Sequence, residues 1–267
     1  MKKLALLGPK GTYCSLASQL LKEQYELVYF PNIIKTINKT TEEQCSLVPI
    51  ENTLDGFVVE ALDAIIKNKL YIVENVKLKV DFYFVSQMEK LEQVKNCYVQ
   101  FKAYGQSLDF FAKNNLNPII TQSNMESLDL LNKQNEPGYG AIIPCHIDVK
   151  PYNLVIKNVL DAPNNETRFI RLAKNLDLEV KENCNCSIVV RPLDDRPGIL
   201  YEILSEFANL EINLKAIFSR PRKDMIGKYI FYLEFELTNS ELLKTIIKNL
   251  KEKYPCDINV VGIYNKV

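Results

Sequence analysis

The sequence contains only one histidine, His146. A single histidine excludes a histidine-rich metal site and leaves no second candidate for the general base of a Ser-His-Asp triad. His146 follows Pro144 and Cys145 close to a predicted helix start, where we expect it to be exposed to solvent. These familiar hydrolytic and metal-dependent chemistries are therefore excluded.

The sequence also lacks a net charge. Lysine plus arginine and aspartate plus glutamate each number 33, and no basic run stands out. Proteins that bind nucleic acid usually carry a positive patch or stripe. We therefore expect no nucleic-acid partner.

Long apolar runs are absent as well. No segment approaches the roughly 18 consecutive apolar residues of a membrane-spanning helix. The apolar stretch from Leu4 to Leu7 is too short for the core of a signal peptide, and Gly8 and Pro9 end it. We expect a cytoplasmic protein with no membrane partner.

The cysteines number seven, an odd count, and are scattered between Cys14 and Cys256. Only Cys184 and Cys186 lie close together, and two thiols without a second pair make a poor metal site. We expect reduced cysteines in a reducing compartment and no bound metal.

The length of 267 residues predicts two domains. In the first part of the chain, predicted strands and helices alternate, which favours α/β layers with largely parallel strands. The predicted strands cover residues 4–7, 45–50, 76–84, 97–101, 118–121 and 139–143. One predicted helix begins at Thr12, which can cap it, and others cover residues 57–66, 105–114 and 124–133.

The pattern changes after a polar stretch, residues 174–185, which we assign as the domain linker. Strand, helix, strand, strand, helix and strand follow, at residues 187–191, 197–208, 212–218, 228–237, 240–253 and 257–264. This βαββαβ order is that of the ferredoxin-like fold. The sequence therefore predicts one domain at residues 1–175 and another at residues 185–267.

A glycine-bracketed turn, residues 8–12 (GPKGT), joins the first strand to the first helix. It lacks the spacing of a nucleotide-binding phosphate loop. A helix N-terminus is a good site for a carboxylate, because free N–H groups point outward there. A tight turn that merely needs glycine is an equally good interpretation.

Several local patterns carry a family resemblance. In the first domain they are residues 8–13 (GPKGTY), 48–53 (VPIENT), 55–56 (DG), 62–63 (LD) and 165–169 (NETRF). In the second domain they are residues 196–200 (RPGIL), 212–214 (INL) and 219–221 (SRP). In order and spacing, the chain resembles the prephenate dehydratase family with its C-terminal, phenylalanine-sensing ACT domain.

The resemblance implies an α/β fold, with a two-lobed, periplasmic-binding-protein-like catalytic domain followed by a ferredoxin-like ACT domain. Lobe 1 would comprise about residues 1–80 and 155–175, lobe 2 about residues 81–154, with the site in the cleft. It further implies a lyase of phenylalanine biosynthesis that converts prephenate into phenylpyruvate, water and carbon dioxide without a cofactor. Phenylalanine would inhibit a homodimer or homotetramer through the ACT domain.

By the same resemblance, Thr167 is the catalytic residue, and its hydroxyl would donate a hydrogen bond to the leaving oxygen. Arg168 could clamp a substrate carboxylate or form an ion pair that braces the lobes. Glu51 would repel a dianion, so we expect it to accept backbone N–H bonds and fix the turn that presents Asn52. Phe169 is expected behind the site, in the core. The expected substrate-binding residues are Thr12, Asn52, Thr53, Gln106, Ser123 and Arg168.

The expected phenylalanine site combines a turn and a strand. Its residues are Gly198, Ile199, Leu200, Asn213, Leu214 and Ser219. Three positions depart from the family pattern: Cys14 and Ala103 replace serines, and Phe218 replaces a glutamate of the effector segment. Phe218 puts an unchanged effector site in doubt.

Two other functions stay open. An arogenate dehydratase would make phenylalanine directly, and no motif distinguishes its substrate from prephenate. A non-catalytic cytosolic amino-acid sensor would keep the cleft and the ACT domain. Thr167 in its intact Thr-Arg-Phe context favours an enzyme, because a mere binder has no need of that donor.

Overall fold

The computed structural model describes residues 2–176, 184–194, 196–222 and 228–265. They form two compact units. The first unit comprises residues 1–36, 47–61 and 76–169, and the second comprises residues 37–46, 62–75 and 170–267. Most of the predicted linker, residues 174–185, lies outside the described residues, and the domain and lobe limits stay predictions.

The described elements alternate along much of the chain. The strands are β1 (Lys3–Leu7), β2 (Glu26–Phe30), β3 (Gln44–Asn52), β4 (Gly56–Phe57), β5 (Tyr71–Lys79), β6 (Phe82–Ser86), β7 (Asn96–Gln100), β8 (Asn117–Thr121), β9 (Tyr139–Pro144), β10 (Leu154–Ile156), β11 (Glu166–Ala173), β12 (Cys184–Pro192), β13 (Leu214–Pro221), β14 (Tyr229–Leu237) and β15 (Cys256–Asn265). The helices are α1 (Tyr13–Ser18), α2 (Ile33–Ile37), α3 (Val59–Asn68), α4 (Phe101–Gly105), α5 (Leu108–Asn114), α6 (Asn124–Lys133), α7 (Ile199–Asn209) and α8 (Ser240–Lys253).

The first unit contains β1, β2, β4 and parts of β3 and β11, in the order β11-β3-β1-β2 with β4 paired to β3. Leu4, Ala5 and Leu6 of β1 are fully buried, as their short apolar run predicted. β1 and β2 run parallel. This arrangement sets the ends of β3 and β11, Asn52 and Glu166, beside each other.

A second sheet of the first unit has the order β10-β6-β9-β7-β8. β7 is parallel to β8 and β9, whereas β6 is antiparallel to β9 and β10. The sheet is therefore mixed, and the prediction of largely parallel strands was wrong for β6. β10 was not predicted as a strand. Phe84 of β6 and Ile142 of β9 are fully buried in its core.

Two predicted elements are divided in the structure. The period-two segment at residues 76–84 is not one strand, because β5 ends at Lys79 and β6 begins at Phe82. Between them, the Val80 N–H donates at 2.7 Å to the carbonyl of Asn165, the residue before β11. The predicted helix at residues 105–114 is replaced by α4 and α5, which leave Gln106 between them.

The second unit contains the predicted βαββαβ order, β12-α7-β13-β14-α8-β15. The strands lie in the order β13-β14-β12-β15, which confirms the ferredoxin-like arrangement. Ile203 and Phe207 of α7 and Ile246 of α8 pack with the strands in one buried cluster. The two amphipathic helices therefore share one core with the sheet.

The sheet of the second unit continues from β15 to β5, with Gly262 opposite Ile72 in a parallel pair. Asn265 reinforces this edge, because its side chain accepts from Asn75 N–H at 3.1 Å and donates to Asn75 carbonyl at 2.9 Å. β15 therefore does not present a free edge, and β13 is the terminal strand at the other side of this order. No helix among the described residues has the length and apolarity to span a membrane.

The close approach of β15 to β5 predicts that Gly262→Ala destabilises the protein. A Cβ at Gly262 would lie 2.5 Å from the Ile72 carbonyl oxygen, so one backbone must shift. Overpacking of this kind costs about 1–3 kcal/mol. The measurement is the urea midpoint of unfolding, with Gly105→Ala as control because a Cβ there meets nothing within 4 Å. Equal midpoints for the two variants would contradict this pairing.

Candidate active site

The side-chain amide of Asn52 is fixed by the backbone that follows it. Its Oδ1 accepts from the N–H groups of Leu54, at 2.9 Å, and of Asp55, at 3.1 Å. Because backbone N–H groups can only donate, the oxygen of this amide has to face them. The Nδ2 group must therefore face the opposite way.

Asn52 holds the Thr167 hydroxyl. Asn52 Nδ2 donates to Thr167 Oγ1 at 2.9 Å and also to Asn165 Oδ1 at 2.6 Å. Thr167 lies on β11 and is 9% exposed. Since its oxygen accepts from Asn52, the O–H bond of Thr167 has to point away from Asn52. The geometry thus leaves the proton of the Thr167 hydroxyl available for donation to a group other than Asn52.

Gln106 reaches the same cluster from the α4–α5 junction. Its Oε1 accepts from Asn165 Nδ2 at 3.0 Å, and Asn165 itself is completely buried. Thr167, Asn52 and Gln106, which sequence reasoning selected, are therefore brought together. The link, Asn165, was missed as a site residue, although it begins the motif at residues 165–169.

Glu51 and Arg168 form an ion pair at 3.1 Å. They lie on neighbouring strands, β3 and β11, so the pair does not brace the two lobes. The Arg168 side chain is 9% exposed and lies 5.8 Å from the centre of the Phe57 ring. The Glu51 carboxylate pairs with a guanidinium, whereas we expected it to accept from backbone N–H groups. Phe169, on β11, is buried as expected.

Thr53 connects two segments of the first unit. Its hydroxyl donates to the Asn164 carbonyl at 3.0 Å and accepts from the Glu166 N–H at 2.9 Å. Its own N–H donates to the Glu166 carbonyl at 2.9 Å. These contacts hold the segment after Asn52 against the segment before Thr167, so the Thr53 hydroxyl is already engaged.

Thr12 and Ser123 stand at the starts of α1 and α6. Thr12 donates to the Leu7 carbonyl at 3.3 Å and its side chain does not cap α1, contrary to the expectation. Ser123 does cap its helix, because its hydroxyl accepts from the Glu126 N–H at 3.1 Å. The segment before α1 lies close to α6, because a Cβ added to Gly11 would be 3.0 Å from the Met125 side chain.

His146 is half-buried, so the expected solvated position was wrong. Its Nε2 lies 2.9 Å from the Gly11 carbonyl oxygen and must donate, because that oxygen can only accept. The Tyr13 ring packs edge-on against it, and the Tyr13 hydroxyl accepts from the Asp81 N–H at 3.0 Å. Burial raises the pKa of Tyr13 above its ordinary value, so its hydroxyl stays protonated. No sequence signal pointed to the contact between His146 and Gly11.

The expected effector residues belong to the second unit. Gly198 precedes α7 with a φ of +89°, a conformation that favours glycine. Ile199 is buried and Leu200 packs against the same core. On the other segment, Asn213 and Ser219 are exposed and Leu214, the first residue of β13, is half-buried.

A sequence model of the family described as Prephenate dehydratase matches residues 4–176. The chain belongs to the prephenate dehydratase family. It is 31% identical over 264 residues to the prephenate dehydratase of Methanocaldococcus jannaschii, covering 96% of this chain and 95% of that protein. It is 24% identical over 282 residues to arogenate dehydratase 2 of Petunia hybrida, covering 98% of this chain and 71% of that protein.

Among solved structures, the chain resembles the prephenate dehydratase of Arthrobacter aurescens in complex with L-Phe. The TM-score is 0.86 at 25% sequence identity, with 99% of this chain and 90% of that chain covered. The fold expected from the sequence is thereby confirmed.

Proposed function

We propose that this protein is a prephenate dehydratase, a carbon–oxygen lyase of phenylalanine biosynthesis. The observation that carries the proposal is the Thr167 hydroxyl, whose oxygen accepts from Asn52 so that its proton is available for donation elsewhere. The family membership of residues 4–176 supports the same reaction.

The reaction releases carbon dioxide and the ring hydroxyl of prephenate. The bond to the ring carboxylate breaks, and its electron pair enters the ring while the C–O bond to the hydroxyl breaks. The departing hydroxide takes up a proton from the solvent and leaves as water. Because the product ring is aromatic, we expect the reaction to need no cofactor.

Thr167 acts in this scheme on the departing oxygen. A threonine hydroxyl is too weak an acid to be fully ionised near neutral pH, so it donates a hydrogen bond to the developing charge. One positioned donor of this kind typically lowers the barrier by about 2.7–4 kcal/mol.

The substrate carboxylates are met mainly by uncharged donors. Because Gln106 Oε1 accepts from Asn165, the Nε2 group of Gln106 is the end that can bind a carboxylate. Thr12 and Ser123 stay proposed contributors. Arg168 and Thr53 support the site less directly, since Arg168 already pairs with Glu51 and the Thr53 hydroxyl bridges backbone groups.

Arogenate is the alternative substrate, since one amino group replaces one keto oxygen. The similarity to the petunia arogenate dehydratase keeps this alternative open, although the M. jannaschii relative is more similar. Purified protein should be incubated with each substrate, with the product identified by mass. Phenylpyruvate from prephenate supports the proposal, phenylalanine from arogenate supports the alternative, and no turnover of either supports a sensor.

We further propose that the chain assembles at least as a dimer and is inhibited by phenylalanine. β13 is the terminal strand of its order, and strand edges rarely stay unpaired. The effector would bind between the Gly198 turn of one subunit and the Asn213–Ser219 segment of another. We also propose catalytic and ACT domains at residues 1–175 and 185–267, and a cytoplasmic location.

Thr167→Ala is expected to lower kcat by about 10²–10³-fold with a much smaller change in KM, because the donor acts mainly on the transition state. Thr167→Ser should retain more activity. Steady-state kinetics with prephenate measures both, with Thr245→Ala on α8 as control. An alanine variant within about twofold of the wild type would remove Thr167 from the mechanism.

Glu51→Gln is expected to keep activity within about tenfold of the wild type. The amide retains an oxygen that can accept from Arg168, and replacing a charged hydrogen bond by a neutral one costs about 1 kcal/mol. The kcat and its pH profile should be compared with those of Glu60→Gln, an exposed position on α3. If Glu51 is the proton donor, activity collapses and the corresponding limb of the pH profile disappears.

Asn213→Ala is expected to weaken inhibition by phenylalanine about tenfold, which corresponds to about 1.4 kcal/mol of effector binding. Gly198→Val is a poorer test, because a branched residue at a φ of +89° strains the backbone whatever binds there. The half-inhibitory concentration is measured against each variant's own uninhibited rate. Asn209→Ala, exposed at the end of α7, is the control. Equal sensitivity of both variants would place the effector elsewhere.

A further inference from the structure

We propose that Asn165 is a positioning residue for the reaction. It fixes the orientation of the Gln106 side-chain amide and shares the Asn52 amide group that holds the Thr167 hydroxyl. The proposal rests on the proposed function, because Gln106 and Thr167 act on the substrate there.

Asn165 is completely buried and every polar group of its side chain is used. Its Oδ1 accepts from Asn52 at 2.6 Å, and its Nδ2 donates to Gln106 at 3.0 Å. Its carbonyl accepts from the Val80 N–H at 2.7 Å. A buried residue that touches both partners in this way has a fixed place and a fixed rotamer.

The direction of every hydrogen bond in this cluster follows from two backbone groups. The N–H groups of Leu54 and Asp55 require the oxygen of Asn52, so Asn52 turns its Nδ2 towards Asn165. Asn165 must accept this bond with its Oδ1, so its Nδ2 group is the one that faces Gln106. Gln106 must in turn accept from Asn165 with its own Oε1.

Asparagine is the side chain that fits this place. It presents an acceptor to Asn52 and a donor to Gln106 at the same time. An aspartate carboxylate presents acceptors to both, so its second oxygen would face Gln106 Oε1 and favour a rotated Gln106 amide. Rotation would turn the oxygen of Gln106, instead of its Nε2 group, towards a substrate carboxylate.

A carboxyl group at this position therefore provides a test through pH. In Asn165→Asp, the ionised carboxyl cannot donate to Gln106 and therefore disrupts the directions of the hydrogen bonds in the cluster. The protonated carboxyl can donate its O–H to Gln106 and restore them. Burial disfavours the charged form, so the pKa of the introduced group should lie above the ordinary value of about 3.9. The hydrogen bond from residue 165 to Gln106 is then lost above that pKa and is restored as the pH falls through it.

The expected result is a pH-dependent ratio of variant to wild-type kcat. Near pH 8, Asn165→Asp should be about a hundredfold slower, as misplaced catalytic groups typically are. The ratio should rise about tenfold or more as the pH falls below the pKa of the introduced carboxyl. Asn164→Asp, the same change at the preceding exposed residue, should give a flat ratio. A flat ratio for a folded Asn165→Asp variant overturns the proposal.

A second measurement depends neither on turnover nor on the folding of Asn165→Asp. Removing the oxygen of Gln106 by Gln106→Ala frees Asn165 Nδ2, and the change should pass through Asn165 to Asn52. The side-chain amide signals of Asn165 and Asn52 are therefore expected to shift in nitrogen-resolved NMR spectra, while that of Asn164 stays. If the Asn165 and Asn52 signals do not respond, the proposal is wrong.

The two measurements separate this inference from the proposed function. Failure of the wild-type protein to convert prephenate would overturn the function, and the NMR spectra would still decide whether Asn165 orders the amides. Turnover by the wild type with a flat Asn165→Asp ratio would overturn the inference alone.

Discussion

The candidate site depends on two backbone N–H groups, those of Leu54 and Asp55, which both point at the oxygen of Asn52. Backbone groups cannot rotate to exchange donor for acceptor, whereas a side-chain amide can. Because the turn after β3 presents two donors, the Asn52 amide has one satisfied orientation, and each neighbour must adapt to it. The donor character of the Thr167 hydroxyl is thus a consequence of how the chain turns after Asn52.

The same cluster contacts the segment between β5 and β6, where the chain passes from one sheet to another. The Asn165 carbonyl holds the Val80 N–H, and the Tyr13 hydroxyl holds the Asp81 N–H. Burial raises the pKa of Tyr13, so its contact with Asp81 does not change with ionisation in the neutral range. The segment between β5 and β6 is therefore anchored by groups that neighbour the candidate site.

The sequence predicted elements with local signals well. The helix at residues 124–133 matches α6, since its apolar spacing lies within the helix and the Ser123 cap directly precedes it. Residues 76–84 were predicted as one strand because the alternation of apolar residues continues across Val80 and Asp81. The chain passes there from β5 to β6, and the buried residues on both sides keep the same spacing. The role of Asn165 could not be predicted, because its partners Gln106 and Asn52 lie 59 and 113 residues away in sequence. Family resemblance selected those partners, but only the fold joins them.

The charges around the cluster fit a reaction in which a carboxylate loses its charge. Arg168 is paired with Glu51, so the contacts around Thr167 are made largely by neutral amides. A free cation bound to the departing carboxylate would stabilise the substrate more than the transition state, since the carboxylate loses its negative charge to the ring as neutral carbon dioxide forms. A hydroxyl donor at the departing oxygen does the opposite, because negative charge grows there as the bond breaks. In the proposed mechanism, neutral amides and one directed donor would therefore favour the transition state over the bound dianion, which is the difference in binding that catalysis requires.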